Sequence, residues 1–247
     1  MAETEEIIKV KNFYKKFGDK VVHKGVNLAI RKGEILTLMG GSGSGKSVLL
    51  RSMIGLEKPD KGQILFHGED VVPLDEDNLV RVRNRIAYAF QHGALFDSLS
   101  VKENLAYPLR AHTELSEKEI HEKVMQTLSM VGLEGSEYLL PADLSGGMQK
   151  RVGVARSIIM DPEVILYDEP TTGLDPYNTR QILRIIRMLQ DKGATSVLVT
   201  HDMTSLFAVS DRIAFLKDGK IIAMDTVDKI RKSSDPAVRG FIDGETD

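Results

Sequence analysis

Gly40, four further residues, then Gly45-Lys46-Ser47: the stretch "LMGGSGSGKSVLL" spells G-x-x-x-x-G-K-[ST], a spacing suited to holding a polyphosphate. A phosphate chain has to approach the backbone closely. Side chains are unwelcome there, and glycine reaches the required φ angles. Successive backbone N–H groups form an anion nest at a helix N-terminus. Lys46 adds a point charge for the outer phosphates, and Ser47 offers a hydroxyl to Mg²⁺. Gly40, Gly41, Ser42, Gly43, Ser44, Gly45, Lys46 and Ser47 are therefore candidate residues for binding a nucleotide's phosphates. Taken alone, the pattern fits a kinase, a GTPase or a motor.

Two further clusters belong to phosphate chemistry. In "VILYDEP" an apolar run ends in Asp168 and Glu169. A buried strand delivering two carboxylates can divide the work: Asp168 holds Mg²⁺, directly or through water, and Glu169 polarises the attacking water beside the γ-phosphate. In "LSGGMQKR", Ser145 reads as an N-cap, with Gly146 and Gly147 opening a helix. An ordinary capped helix with a Gly-Gly entrance would read the same way. As an anion site, however, it is a second one in a chain with one phosphate loop. That points to service of another chain's nucleotide, with two subunits packed head to tail around two ATP molecules.

These residues need elements to hold them. "EILTLM" reads as a buried strand and "SVLLRSMIGL" as a helix, the context that separates a nucleotide loop from a Gly/Ser linker. Strands are expected at 6–11 and 20–30, then in "KGQILFHGED" and "RIAYAF". From about Val101 to Asp161 the pattern turns helical. Strand signals return at "EVILYD", "ATSVLVTHD", "DRIAFLKDG" and "KIIAMD", alternating with "NTRQILRIIRMLQ" and "MTSLFAV". Such alternation implies an α/β fold with a mostly parallel sheet, interrupted by an all-helical insertion.

Composition narrows the class. With 36 acidic and 33 basic side chains the net charge is −3, which gives no sign of nucleic-acid binding. There is no cysteine, hence neither a disulfide nor a thiolate metal site. The acidic start "MAETEEIIKV" lacks a signal-peptide apolar segment. No apolar run approaches the roughly 18 residues that span a bilayer. The expectation is a soluble chain whose membrane role comes through a partner.

Across nearly its whole length the chain resembles the ATPase subunits of ABC transporters, whose motifs occur in the same order. The resemblance implies a P-loop NTPase core, an antiparallel β subdomain and an inserted helical subdomain. By the same resemblance, residues 1–247 are expected to form one nucleotide-binding domain, with the core at about 1–92 and 162–247 and the helical part at about 93–161. It also implies roles. Phe17 in "KKFGDK" matches the aromatic that stacks on adenine. Gln91 in "AFQHGALF" matches the glutamine that reaches Mg²⁺ and the attacking water. Ser145, Gly146 and Gly147 match the signature motif, and Gly173, Leu174 and Asp175 the loop that crosses the dimer interface. His201 in "LVTHD" matches the switch histidine at the γ-phosphate. Gly41 stands where the family often has proline, and Met148 where it usually has glutamine.

The region after Gln91 corresponds to the groove that receives a permease coupling helix, with Ala94, Leu95, Phe96, Leu99, Tyr107 and Pro108 as apolar anchors. Its wording, "GALFDS", "AYPLR" and "HTEL", resembles the Mla-type ATPases, as does the closing "DPAVRGFIDG". That likeness implies phospholipid transport between the inner and outer membranes with an MCE-domain protein, from the cytoplasmic face of a bacterial inner membrane. Integral permease subunits and a homodimer formed through the nucleotide sandwich are the other implied partners. The alternatives are an amino-acid or other solute importer and, in a different class, a non-transport ABC ATPase for DNA repair or translation.

Overall fold

A computed structural model describes residues 5–91 and 93–244. The chain begins with two long antiparallel strands, β1 (Glu6–Phe17) and β2 (Lys20–Arg31). β1 runs well past the expected end at residue 11. A shift of register between Val10 and Phe13, with Asn12 at φ +47°, breaks the in-out alternation, so the sequence reads as a strand followed by a turn. The Asn27 side chain accepts from the Asn12 amide at 3.0 Å and holds this bulge.

The fully buried β3 (Ile35–Met39) leads through the glycine-rich loop into α1 (Lys46–Met53). Next come β4 (Lys61–Phe66), the two-residue β5 (Glu69–Asp70) and α2 (Glu76–Arg83), a helix the sequence pattern did not announce. Its signal lies in the cap: Asp75 accepts from the Asn78 amide at 2.9 Å. β6 (Ile86–Ala89) precedes three helices, α3 (Val101–His112), α4 (Glu117–Met130) and α5 (Gly146–Ile158). The chain then alternates through β7 (Val164–Asp168), α6 (Pro176–Asp191), β8 (Thr195–Val199) and α7 (Met203–Val209). β9 (Arg212–Lys217) turns directly into β10 (Lys220–Thr226) as an antiparallel hairpin, so the alternation stops there. Two short helices follow, α8 (Val227–Arg231) and α9 (Pro236–Ile242).

The strands form two sheets. One is antiparallel, in the order β2-β1-β4-β5; the other runs β10-β9-β3-β8-β7-β6 and is parallel apart from the β9–β10 pair. Val10, Phe13 and Ile64 of the first sheet share an apolar cluster with Leu36, Leu166 and Val199 of the second and with Leu49 and Leu50 of α1. Each such buried side chain contributes about 1.5–3 kcal/mol of transfer free energy. The carboxyl ends of β3, β7 and β8 consequently lie side by side above this cluster. A second cluster packs α3, α4 and α5 against α6 and one face of β7. No helix among the described residues is long and apolar enough to cross a membrane.

Candidate functional site

At the end of β3 the backbone enters a loop that excludes side chains. Gly40 has φ +155°, and a Cβ there would lie 2.3 Å from the Leu216 carbonyl oxygen. Gly45 has φ +99°, and its Cβ would meet Val22 and His23 at 2.5 and 2.7 Å. Gly41, by contrast, faces open space, so a larger residue is sterically acceptable there. Gly45 is also the N-cap of α1 and supplies no side-chain acceptor, so the first amides of the helix stay available to a ligand.

Lys46 is buried and donates to the carbonyls of Gly40 at 2.8 Å and Gly41 at 3.0 Å. Burial pushes its pKa down, while the charges of Glu169 and Asp168 oppose the shift. Ser47 Oγ donates to Asp168 Oδ1 at 2.7 Å, so the hydroxyl and the carboxylate predicted to share a cation are already adjacent. Two hard oxygen donors beside a phosphate nest suit Mg²⁺, which takes the rest of its shell from water and phosphate oxygens. Among the described residues no group of three or more histidines and carboxylates could hold a metal without such help.

Asp168 ends β7, and Glu169 turns away from it at φ +53°, a conformation that costs a non-glycine residue on the order of 1 kcal/mol. The Glu169 amide donates to the Val199 carbonyl of β8 at 2.9 Å and fixes this turn to the neighbouring strand. Its Oε2 accepts from Thr172 Oγ1 at 2.8 Å and lies 2.8 Å from His201 Nδ1. His201 follows β8 and is largely exposed, whereas Glu169 is mostly covered. The loop after His201 is pinned by Asp202, which caps α7.

Phe17, Ser42, Gly43, Gly45, Lys46, Ser47, Gln91, Glu169 and His201 all line one open cavity of about 700 Å³, the size of a small-molecule site. Gly41 and Ser44 line an adjoining hollow. The half-exposed Phe17 ring carries the Lys15 ammonium at 4.8 Å from its centroid and is free to accept a stacked base.

Ser145, Gly146, Gly147 and Asp175 are not among the residues lining that cavity. Ser145 caps α5 by accepting from the Met148 amide at 3.3 Å. Gly146 is exposed. Gly147 is buried so tightly that a Cβ would fall 2.3 Å from Asn178 Cγ. Asn178 donates at 2.6 Å to Asp175, which caps α6 by accepting from the Tyr177 and Asn178 amides. The two motifs therefore form one joined surface, separate from the cavity. Met148 packs against the helical core.

Sequence reading missed three residues here. Tyr88 donates to Asp168 Oδ2 at 2.7 Å. Lys150 of α5 donates to the Thr172 carbonyl beside Glu169. His23, fully buried beneath Gly45 and edge-on to Phe13, has its pKa pushed down to about 4 by burial, with the Gly45 backbone opposing. Each lies within an ordinary strand or helix pattern, and only strand order or packing gives it a role.

Of the expected apolar anchors beyond Gln91, Phe96 and Tyr107 are exposed and pack edge to face at 5.3 Å, with the Arg156 guanidinium 4.6 Å over Phe96. Ala94 is also exposed, while Leu95, Leu99 and Pro108 are half-buried. Buried Asn104 holds the loop by accepting from the Phe96 amide and donating to the Phe96 and Leu99 carbonyls.

Residues 23–172 match the family described as "ABC transporter". The chain belongs to the ABC transporter ATPases. It is 41% identical to the intermembrane phospholipid transport system ATP-binding protein MlaF of Haemophilus influenzae, over 98% of this chain and 92% of that protein. It is 39% identical to MlaF of Escherichia coli, over 93% of this chain and 86% of that one. A dimeric ATP-binding cassette solved in a post-hydrolysis state with ADP and Pi superposes with a TM-score of 0.83 at 34% identity, covering 89% of this chain and 98% of the other. As an ABC ATPase the chain is an ATP-hydrolysing subunit, and its fold is that of the solved cassettes.

Proposed function

We propose that this ABC ATPase drives phospholipid transport between two membranes. The observation that carries the catalytic half is the cavity that gathers the phosphate loop, Gln91, Glu169 and His201 while Ser145-Gly146-Gly147 faces elsewhere. ATP enters with its base on Phe17, its phosphates on the loop amides and its γ-phosphate toward Lys46. Ser47, Asp168 and Gln91 would hold Mg²⁺, which when bound with the nucleotide would neutralise phosphate charge. Glu169 orients water for in-line attack and takes its proton, and His201 releases its contact with Glu169 to meet the γ-phosphate. A second copy lays its Ser145-Gly146-Gly147 surface, with Asp175 alongside, over the exposed phosphates. ATP then holds two chains together, and hydrolysis lets them part. Residues 1–247 act as one nucleotide-binding domain in which the helical segment, about 93–161, moves against the core.

The transport half rests on the likeness to the two MlaF proteins over nearly the full chain. Permease subunits dock a helix against the Ala94–Leu99 loop and Tyr107, placing the ATPase on the cytoplasmic face of a bacterial inner membrane. An MCE-domain protein hands the lipid onward. The test is mild-detergent isolation of the tagged chain from its own membranes, with mass spectrometry of proteins and lipids. A polytopic permease with an MCE-domain protein and bound phospholipid is the expected result. A permease with a soluble solute-binding protein, or no membrane partner, would overturn the lipid reading.

A further inference from the structure

Asp168 has one partner on each carboxylate oxygen. Ser47 Oγ sits on Oδ1 and Tyr88 OH on Oδ2, both at 2.7 Å. A carboxylate's terminal torsion is otherwise broad. These two bonds together fix its plane and aim Oδ1 at the phosphate loop. Tyr88 does not line the nucleotide cavity. Tyr88 is instead among the residues of a separate groove of about 260 Å³ shared with Phe90, Ala94, Pro108, Arg156 and Met160, and its ring packs at 4.5 Å, tilted by 46°, against the half-exposed Phe90. It stands on β6, the last strand of its sheet, which is paired on one side only, to β7. One rigid side chain thus has its hydroxyl on the carboxylate proposed to hold the cation and its ring against the groove-lining Phe90.

We propose that Tyr88 is a positioning residue for Asp168, and that through its ring a helix seated in the groove changes how Asp168 holds Mg²⁺. The positioning role stands on the geometry of this chain; the groove's occupant, a permease helix, rests on the function proposed above. A six-membered ring does not bend, so a displacement passed from Phe90 to the Tyr88 ring reaches the hydroxyl. A shift of a few tenths of an ångström stretches the 2.7 Å bond toward the outer end of the O–H···O range and weakens its hold on Oδ2.

The test uses Tyr88→Phe, which keeps the ring and removes the donor. Mn²⁺ binding to the isolated, ATP-loaded chain is measured by electron paramagnetic resonance, beside ATP binding in EDTA. The expected result is Mn²⁺ binding weaker by about tenfold or more, the worth of one hydrogen bond to a charged group, with metal-free ATP binding unchanged. Tyr88→Met, which also lacks the hydroxyl, shows the same loss. Equal Mn²⁺ affinity in wild type and both variants overturns the positioning role. In the intact transporter, the ratio of permease-stimulated to basal ATPase falls in Tyr88→Phe. An unchanged ratio alongside weakened Mn²⁺ binding overturns the link to the groove. If no permease accompanies the wild-type chain, the function proposed above fails, and the Mn²⁺ comparison still reads the role of Tyr88.

Discussion

Two helices among the described residues have glycine at their N-terminal end, as the cap of α1 and as the first residues of α5, and their first turns are finished differently. α1 starts behind Gly45, which brings no side chain to the helix's first amides and leaves them facing the cavity. α5 starts behind Ser145, whose hydroxyl already accepts from the Met148 amide, and its Gly147 is spent on close packing against Asn178. Both ends carry the same partial positive charge. The first is surrounded by a lysine, a serine, two carboxylates and a histidine from the same chain. The second has an exposed glycine and a neighbouring helix cap. A helix N-terminus becomes a working phosphate site only when other elements bring charge and a wall to it. In a single copy of this chain α1 has both; under the function proposed above, α5 acquires them from a second copy.

The sharpest way to break this comparison is Glu169→Gln. It removes the proposed base and leaves both helix ends intact, so hydrolysis falls about a thousandfold while ATP still binds. ATP then holds two chains together, and light scattering reads a doubled mass. A variant that stays monomeric with ATP bound sinks the assignment of α5 to the partner's nucleotide. Lys46→Ala strips the charge from the α1 end. ATP affinity drops by about a hundredfold, the loss expected for one charge-stabilising group in a covered site, as calorimetry would show, and dimerisation goes with it.

The support beneath α1 is sensitive to acid. The folded pKa of His23 is about 4 against an unfolded value of 6.5, so between those pH values the unfolded chain takes up a proton that the folded chain refuses. The His23 contribution to stability is therefore flat above pH 6.5 and declines as pH falls, by roughly 3 kcal/mol at pH 4. Denaturant melts of His23→Phe should lose that part of the slope, and an unchanged profile would show that the ring does not stay neutral. The smallest effect belongs to Ser145→Ala. Loss of the α5 cap costs about 1 kcal/mol in the monomer, and single-chain ATP affinity stays the same. If that affinity falls with it, the two helix ends are not separate.

Much of this was legible in the residues because it is local. The glycine spacing of the loop, the apolar run into Asp168 and Glu169, and the Ser145 cap each involve neighbours within one turn of chain. The long strand β1 was not legible, because the bulge at Asn12 changes the phase of its alternation, and Asn27 is needed to stabilise the bulge. The hairpin β9–β10 read as part of an alternating series, since each strand has a strand's pattern and only pairing decides its direction.

The sequence by itself determined which groups can bind phosphate and that they sit at element ends, because side-chain chemistry and backbone freedom are properties of the residues. Tertiary structure alone decided that Glu169 meets His201, that Tyr88 reaches Asp168 and that His23 lies under Gly45. Those contacts depend on β7 lying between β6 and β8, and on the first sheet closing over β3. Backbone ladders pair without regard to side chains, so strand order is settled by which faces can be buried together, and that is a property of the whole chain.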